Sequence, residues 1–182
     1  MKITYLDNYT ALSQKAASII AEEVGKNPSL LFCAATGGSP TGMYAEMAKN
    51  KSIYAEMRVV KMDEWGIIPL SHPDSCESYL EKHLLSPLGI NSERYTTFDT
   101  QSQMAEEECE RMNGYLKAIG AIDICILGLG KNGHIAFNEP AFLPRIAIEL
   151  AAIRGMGEAD FALAAWQNAM QVLPRWSALC AD

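Results

Sequence analysis

Three short stretches hold residues whose types and spacing suit proton transfer and anion binding. The longest is Gly128-Leu129-Gly130-Lys131-Asn132-Gly133-His134-Ile135-Ala136-Phe137-Asn138-Glu139-Pro140. A histidine beside a carboxylate can shuttle protons near neutral pH, and His134 has Glu139 five residues on. Three glycines allow the backbone to bend tightly, and Pro140 stops any long helix. The spacing Gly128-x-Gly130-x-x-Gly133 also fits a dinucleotide fingerprint. That fingerprint needs a long helix at the glycines and an acid about 20 residues on. Pro140 and the Ala-rich sequence beyond it meet neither condition, so nicotinamide and flavin binding are set aside.

The second stretch is Lys61-Met62-Asp63-Glu64-Trp65. Two acids at the end of a strand can supply a general base, or they can cap a helix or sit in solvent. The third is Thr36-Gly37-Gly38-Ser39-Pro40-Thr41. A strand, two glycines and a helix start aim N–H groups and a helix dipole at an anion, with Thr36, Ser39 and Thr41 as hydroxyl donors. The same composition also makes an ordinary strand-to-helix turn. What favours chemistry is the company: all three stretches close strands of one presumed sheet. His72, before Pro73 in a loop, and His83, in a helix, lack that context and read as non-catalytic. There is no serine elbow and no His-Glu-x-x-His metal helix.

The elements that would carry these residues alternate. Ile3–Leu6 reads as a strand, Tyr9–Val24 as a helix ended by Gly25, and Leu30–Ala35 as a strand. Ser39 is the expected N-cap of a helix to about Ala48, with Pro40 at its first position. Arg58–Met62 reads as a strand ending at Asp63, followed by a loop over 64–73 and a helix over Asp74–Leu85. Arg94–Phe98 reads as a strand, Gln101–Ile119 as a helix with acids at its start and Gly120 past its end, and Ile122–Leu127 as a buried strand. Such alternation predicts an α/β, doubly wound, mostly parallel sheet with helices on both faces. One domain is expected over residues 1–140. Residues 141–182, Ala-rich and without lysine, are expected to form an atypical, helical C-terminal segment of the same domain, with one helix over Glu158–Leu173.

Composition narrows the function classes. A chain of 182 residues, 49% hydrophobic and 20% charged, suits one globular domain. Its net charge of −7 argues against nucleic acid as a partner but not against a phosphate held locally. No apolar run is long enough to span a bilayer, and Met1–Asp7 has no signal-peptide core, so no membrane partner is expected. The five cysteines form no Cys-x-x-Cys pair. Cys33 and Cys125 lie in apolar runs and read as buried thiols, in a reduced, cytoplasmic protein.

Taken together, Ala35-Thr36-Gly37-Gly38-Ser39-Pro40, Met62-Asp63-Glu64-Trp65 with His72-Pro73-Asp74-Ser75, and Gly130 to Pro140 resemble the glucosamine-6-phosphate deaminase family, the hexosamine-phosphate isomerases. The resemblance covers roughly residues 1–140. The related 6-phosphogluconolactonases share the sheet and a Gly-His loop but typically lack the Phe-Asn-Glu-Pro ending. The resemblance implies a small-molecule sugar phosphate docked on Thr36, Gly37, Gly38 and Ser39. His134, held by Glu139, would help open the pyranose ring, and Asp63 would move the C2 proton to C1. It implies no metal and no organic cofactor, and a family that includes both monomers and homo-oligomers.

Two departures stand out. Members often have Asp where this chain has Asn132. An amide cannot accept a proton as a carboxylate does, so Asn132 is expected to orient His134 or the substrate, as in the similar galactosamine-6-phosphate branch. Family chains also usually continue beyond this length and supply basic residues to the phosphate. The tail here resembles none of that, so the sheet is expected to be incomplete at its C-terminal end and the phosphate weakly held. The alternatives are a 6-phosphogluconolactonase-like lactone hydrolase and a non-catalytic sugar-phosphate-binding remnant.

Overall fold

The computed structural model describes residues 4–66, 68–100, 105–129 and 143–172. Tyr5–Leu129 form one compact unit, and the two C-terminal helices belong to a second.

The first unit is built on four short strands: β1 (Leu31–Ala34), β2 (Arg58–Lys61), β3 (Tyr95–Thr96) and β4 (Ile124–Cys125). They lie in the order β3-β2-β1-β4, and every pairing is parallel. Parallel neighbours need crossover connections, and helices that cover both faces favour apolar residues in the covered strands. Here Phe32, Ala34 and Val59 enter one core with residues of α1 (Tyr9–Lys26), α2 (Gly38–Ala48) and the helical segment after residue 75. Leu31, Cys33 and Val60 face the other way, against Met112, Leu116 and Ile119 of α5 (Ala105–Ile119). All four residues of β1 are buried, as a central strand covered on both sides requires. The doubly wound parallel sheet expected from the sequence is therefore the fold observed.

The helical segment after residue 75 is three pieces in sequence. α3 (Cys76–Leu80) is capped by the Ser75 side chain, which accepts from Ser78 N–H. It runs into a π turn at Glu81–Leu85 and then α4 (Ser86–Leu88), which ends at Gly89 in the left-handed region.

Several boundaries differ from expectation. Thr4–Leu6, the described part of the expected first strand, is irregular. α1 passes through Gly25 to Lys26, because Asn27 N–H donates to Glu23 O and closes the last turn one step later. α2 is capped by Gly37, not Ser39: Gly37 takes φ +103°, so the chain turns into the helix before Ser39 is reached. The described part of the helix expected from Gln101 begins at Ala105.

In the second unit, α6 (Leu143–Ile153) and α7 (Glu158–Val172) pack on each other across a turn at Gly155 (φ +63°). The helix expected near 158–173 is present. α6 lies in the segment expected to be helical, without bounds of its own in the sequence reading. No helix among the described residues is long and apolar enough to cross a membrane.

Candidate active site

The strand order fixes where a site can form. From β1 the chain winds through α2 to β2 on one side, while β4 joins β1 on the other. Loops therefore part at the carboxyl ends of β1 and β4, leaving the crevice in which open α/β sheets bind ligands. The Thr36–Ser39 loop leaves β1 at this point, and the chain after β4 passes close by. A Cβ built on Gly128 would lie 3.3 Å from Ser39 Cβ and Oγ, so glycine lets the two loops approach.

The loop after β1 is shaped by residues remote in sequence. Tyr9 Oη donates to Gly38 O at 2.7 Å and accepts from Gly42 N–H at 2.8 Å, inserting a hydroxyl into the first turn of α2. Tyr79 Oη donates to Gly37 O at 2.7 Å, and Thr41 Oγ1 donates to the same carbonyl at 2.9 Å. Binding the carbonyls on these sides fixes the peptide planes, with Gly37, Gly38 and Ser39 exposed. Sequence reasoning missed Tyr9 and Tyr79, because hydroxyls 29 and 42 residues from their acceptors leave no periodic signal.

Asp63 follows β2 and is half-buried. Cys76 Sγ lies 4.0 Å from Asp63 Oδ1 and 3.6 Å from Thr36 Oγ1, so one thiol spans the carboxylate and the anion loop. Burial, and then the charge of Glu64, raise the Asp63 pKa above the usual carboxylate range, with Lys61 pulling it partly back. A carboxylate raised in this way is a better proton acceptor near neutral pH. Burial also pushes the Cys76 thiol up to about 11, which keeps it protonated.

Glu64 has a different task. Its carboxylate accepts from Lys61 Nζ at 2.6 Å and from the N–H groups of Trp65, Cys76 and Glu77 at 2.8–2.9 Å. Burial alone would raise its pKa, but the Lys61 pair and the three N–H bonds outweigh that and lower it. It therefore stays ionised at the N-terminus of α3, where a negative charge is favoured. Of the two acids, Asp63 is poised for proton transfer and Glu64 anchors the loop that carries it. Lys61 is buried and also pairs with Glu77 at 2.7 Å. Glu77 accepts in turn from Tyr95 Oη and Thr97 Oγ1 at 2.8 Å.

Thr36 and Asp63 are thus linked through Cys76, with Gly37, Gly38 and Ser39 following Thr36 on the same loop. Asn132, His134 and Glu139 lie outside the described residues. Among the described residues no group of three His, Cys, Asp or Glu side chains is arranged to hold a metal ion.

Residues 7–138 match the family model for glucosamine-6-phosphate isomerases/6-phosphogluconolactonase. The chain is 34% identical over 168 residues to a glucosamine-6-phosphate deaminase of Geobacillus sp. strain WCH70, covering 88% of this chain and 67% of that one. Among solved structures it is similar to a monomeric glucosamine-6-phosphate deaminase, with TM-score 0.72 and 30% identity, covering 77% of this chain and 60% of the other. A 6-phosphogluconolactonase from Thermotoga maritima shares the fold at TM-score 0.63 and 23% identity, covering 73% and 61%. The chain spans about half to two thirds of the length of the curated relatives it matches. With the model match extending from the start of α1 through the segment after β4, the chain belongs to the glucosamine-6-phosphate isomerase/6-phosphogluconolactonase family.

Proposed function

We propose that the chain carries the site of a hexosamine-6-phosphate deaminase/isomerase. The observation that supports this most is the contact chain from Asp63 through Cys76 to Thr36, which joins a proton-accepting carboxylate to an anion loop within one crevice. A sugar phosphate fits both features: its phosphate meets the exposed N–H groups of Gly37, Gly38 and Ser39, and its carbon chain reaches toward Asp63.

In the open-chain aminoaldose, Asp63 removes the C2 proton. The electrons move through C2–C1 to the carbonyl oxygen, which takes a proton from water, giving an enolamine. Asp63 returns the proton to C1, which leaves an imine at C2. Water adds to the imine and ammonia departs, leaving a ketohexose 6-phosphate. His134, oriented by Glu139, moves the anomeric proton during ring opening, and Asn132 orients the histidine or the sugar. Each positioned acid or base contributes on the order of 100- to 10,000-fold. Relatives named glucosamine-6-phosphate deaminase, at 34% identity, support the substrate class.

A lactone hydrolase on the same fold is the second reading, because the matching family model spans both activities. Incubation with glucosamine 6-phosphate, galactosamine 6-phosphate and 6-phosphogluconolactone separates the readings. Ammonia from either amino sugar supports the deaminase. Acid from the lactone alone supports the hydrolase, and ligand binding without product supports a non-catalytic binding protein.

A further inference from the structure

Cys33 and Cys125 are direct register partners on β1 and β4. Paired residues of parallel neighbours point to the same face, with their Cα atoms about 4.8 Å apart. That spacing lies inside the range of about 4.4–6.8 Å spanned by disulfide-linked residues. The two thiols differ in access: Cys33 is buried, whereas Cys125 is exposed, against the burial expected from its apolar run. β4 is an edge strand of the described sheet, so its side chains lack the second neighbour that covers those of β1. Burial, then the neighbouring Cys125, push the Cys33 thiol up to about 12, so Cys33 is held as the thiol and Cys125 is the sulfur open to reagents.

We propose that Cys33 and Cys125 form a thiol oxidation site, at which a peroxide converts the pair reversibly into a disulfide joining β1 to β4 beneath the crevice. The exposed Cys125 sulfur attacks a peroxide oxygen. An S–O bond forms, the O–O bond breaks, and the hydroxide released leaves as water with the Cys125 proton. The Cys33 sulfur then attacks the sulfenic sulfur. An S–S bond forms, the S–O bond breaks, and the hydroxyl leaves as water with the Cys33 proton. Two thiols and one peroxide thus give one disulfide and two waters. Disulfides of proteins in reducing compartments are typically transient and redox-sensing, and a thiol reductant restores this pair. The proposal rests on register and exposure and is independent of the sugar-phosphate reading.

The test is peptide mapping after treatment with hydrogen peroxide and alkylation. The expected result is the loss of two alkylatable thiols and a peptide pair linked through Cys33 and Cys125, both reversed by dithiothreitol. Cys125→Ser, at an exposed position, is expected to abolish the link. Cys33→Ala is expected to leave Cys125 as a sulfenic acid that dimedone captures. If Cys33→Ala does not fold, Cys125→Ser decides alone. The proposal is overturned if both thiols stay alkylatable, if the link joins Cys33 to Cys76, if Cys109 oxidises while Cys125 does not, or if Cys125 over-oxidises without a link.

Discussion

Lys61 Nζ donates to Glu64 Oε2 at 2.6 Å, with the Lys61 side chain fully enclosed and that of Glu64 only 1% exposed. The pair brackets Asp63 in sequence. Glu64 also binds the N–H groups of Cys76 and Glu77, so Asp63 is held between the end of β2 and the start of α3. The site therefore depends on a buried ion pair that takes no part in the proposed chemistry.

Removing one member of a buried pair leaves an uncompensated charge, at a cost of about 3–5 kcal/mol. Lys61→Met strands both Glu64 and Glu77 and is expected to destabilise the protein by that amount in urea unfolding. A loss below about 1 kcal/mol would show that the carboxylates find water or other partners.

Asp63 gives a pH signature of the opposite kind. Its folded pKa is raised above the ordinary value of 3.8, so between the two values the folded protein holds a proton that the unfolded chain has released. Stability therefore falls as pH rises through this window, and the loss is complete above the folded pKa. Asp63→Asn removes the effect. The variant is expected to match the wild type below the ordinary carboxylate range and to be more stable at neutral pH. Urea midpoints on either side of the window check this, and a variant that is less stable at neutral pH would contradict it.

Gly42 of α2 lies against Tyr9 and Ser13 of α1. A Cβ there would fall 2.3 Å from Ser13 Oγ and 2.9 Å from a Tyr9 ring carbon. Gly42→Ala is expected to cost about 1–3 kcal/mol as overpacking. Ser13 Oγ is buried without a hydrogen-bond partner, so Ser13→Ala is expected to be neutral or stabilising. The double variant should recover part of the Gly42→Ala loss and not all of it, since the Tyr9 contact remains. Thermal melts of the three variants make the comparison, and full additivity would place the clash elsewhere.

Gly37, at φ +103°, holds a conformation that side-chain-bearing residues rarely adopt. Gly37→Ala is expected to cost about 1–3 kcal/mol in backbone strain. It should also weaken sugar-phosphate binding, because relief of the strain rotates the N–H groups facing the crevice. Calorimetric titration with the sugar phosphate tests this, and unchanged affinity would remove the loop from phosphate binding.

Much of this was legible in the sequence, for physical reasons. β1 is a short apolar run and β2 has Val59 and Val60 at its centre because both faces of a parallel sheet are covered, and each strand precedes a stretch with chemical groups. Asp63 and the glycine loop stand out because strand ends are where such residues gather. The cap of α2 was misplaced because Ser39 and Pro40 carry strong start signals, whereas the positive φ of Gly37 is invisible in sequence. Cys125 was read as buried because an apolar run does not reveal that its strand lies at a sheet edge. The Lys61–Glu77 pair and the tyrosine clamps on Gly37 and Gly38 join residues 16 to 42 apart, which only tertiary structure brings together.

The proposed chemistry turns on one carboxylate, and the direct measurement compares wild type with Asp63→Asn. Ammonia release from glucosamine 6-phosphate and galactosamine 6-phosphate would be followed alongside sugar-phosphate affinity. The account predicts release by the wild type from at least one sugar, and loss of release in Asp63→Asn with affinity largely retained. Wild-type-like release by Asp63→Asn would contradict it, as would no release by the wild type from either sugar.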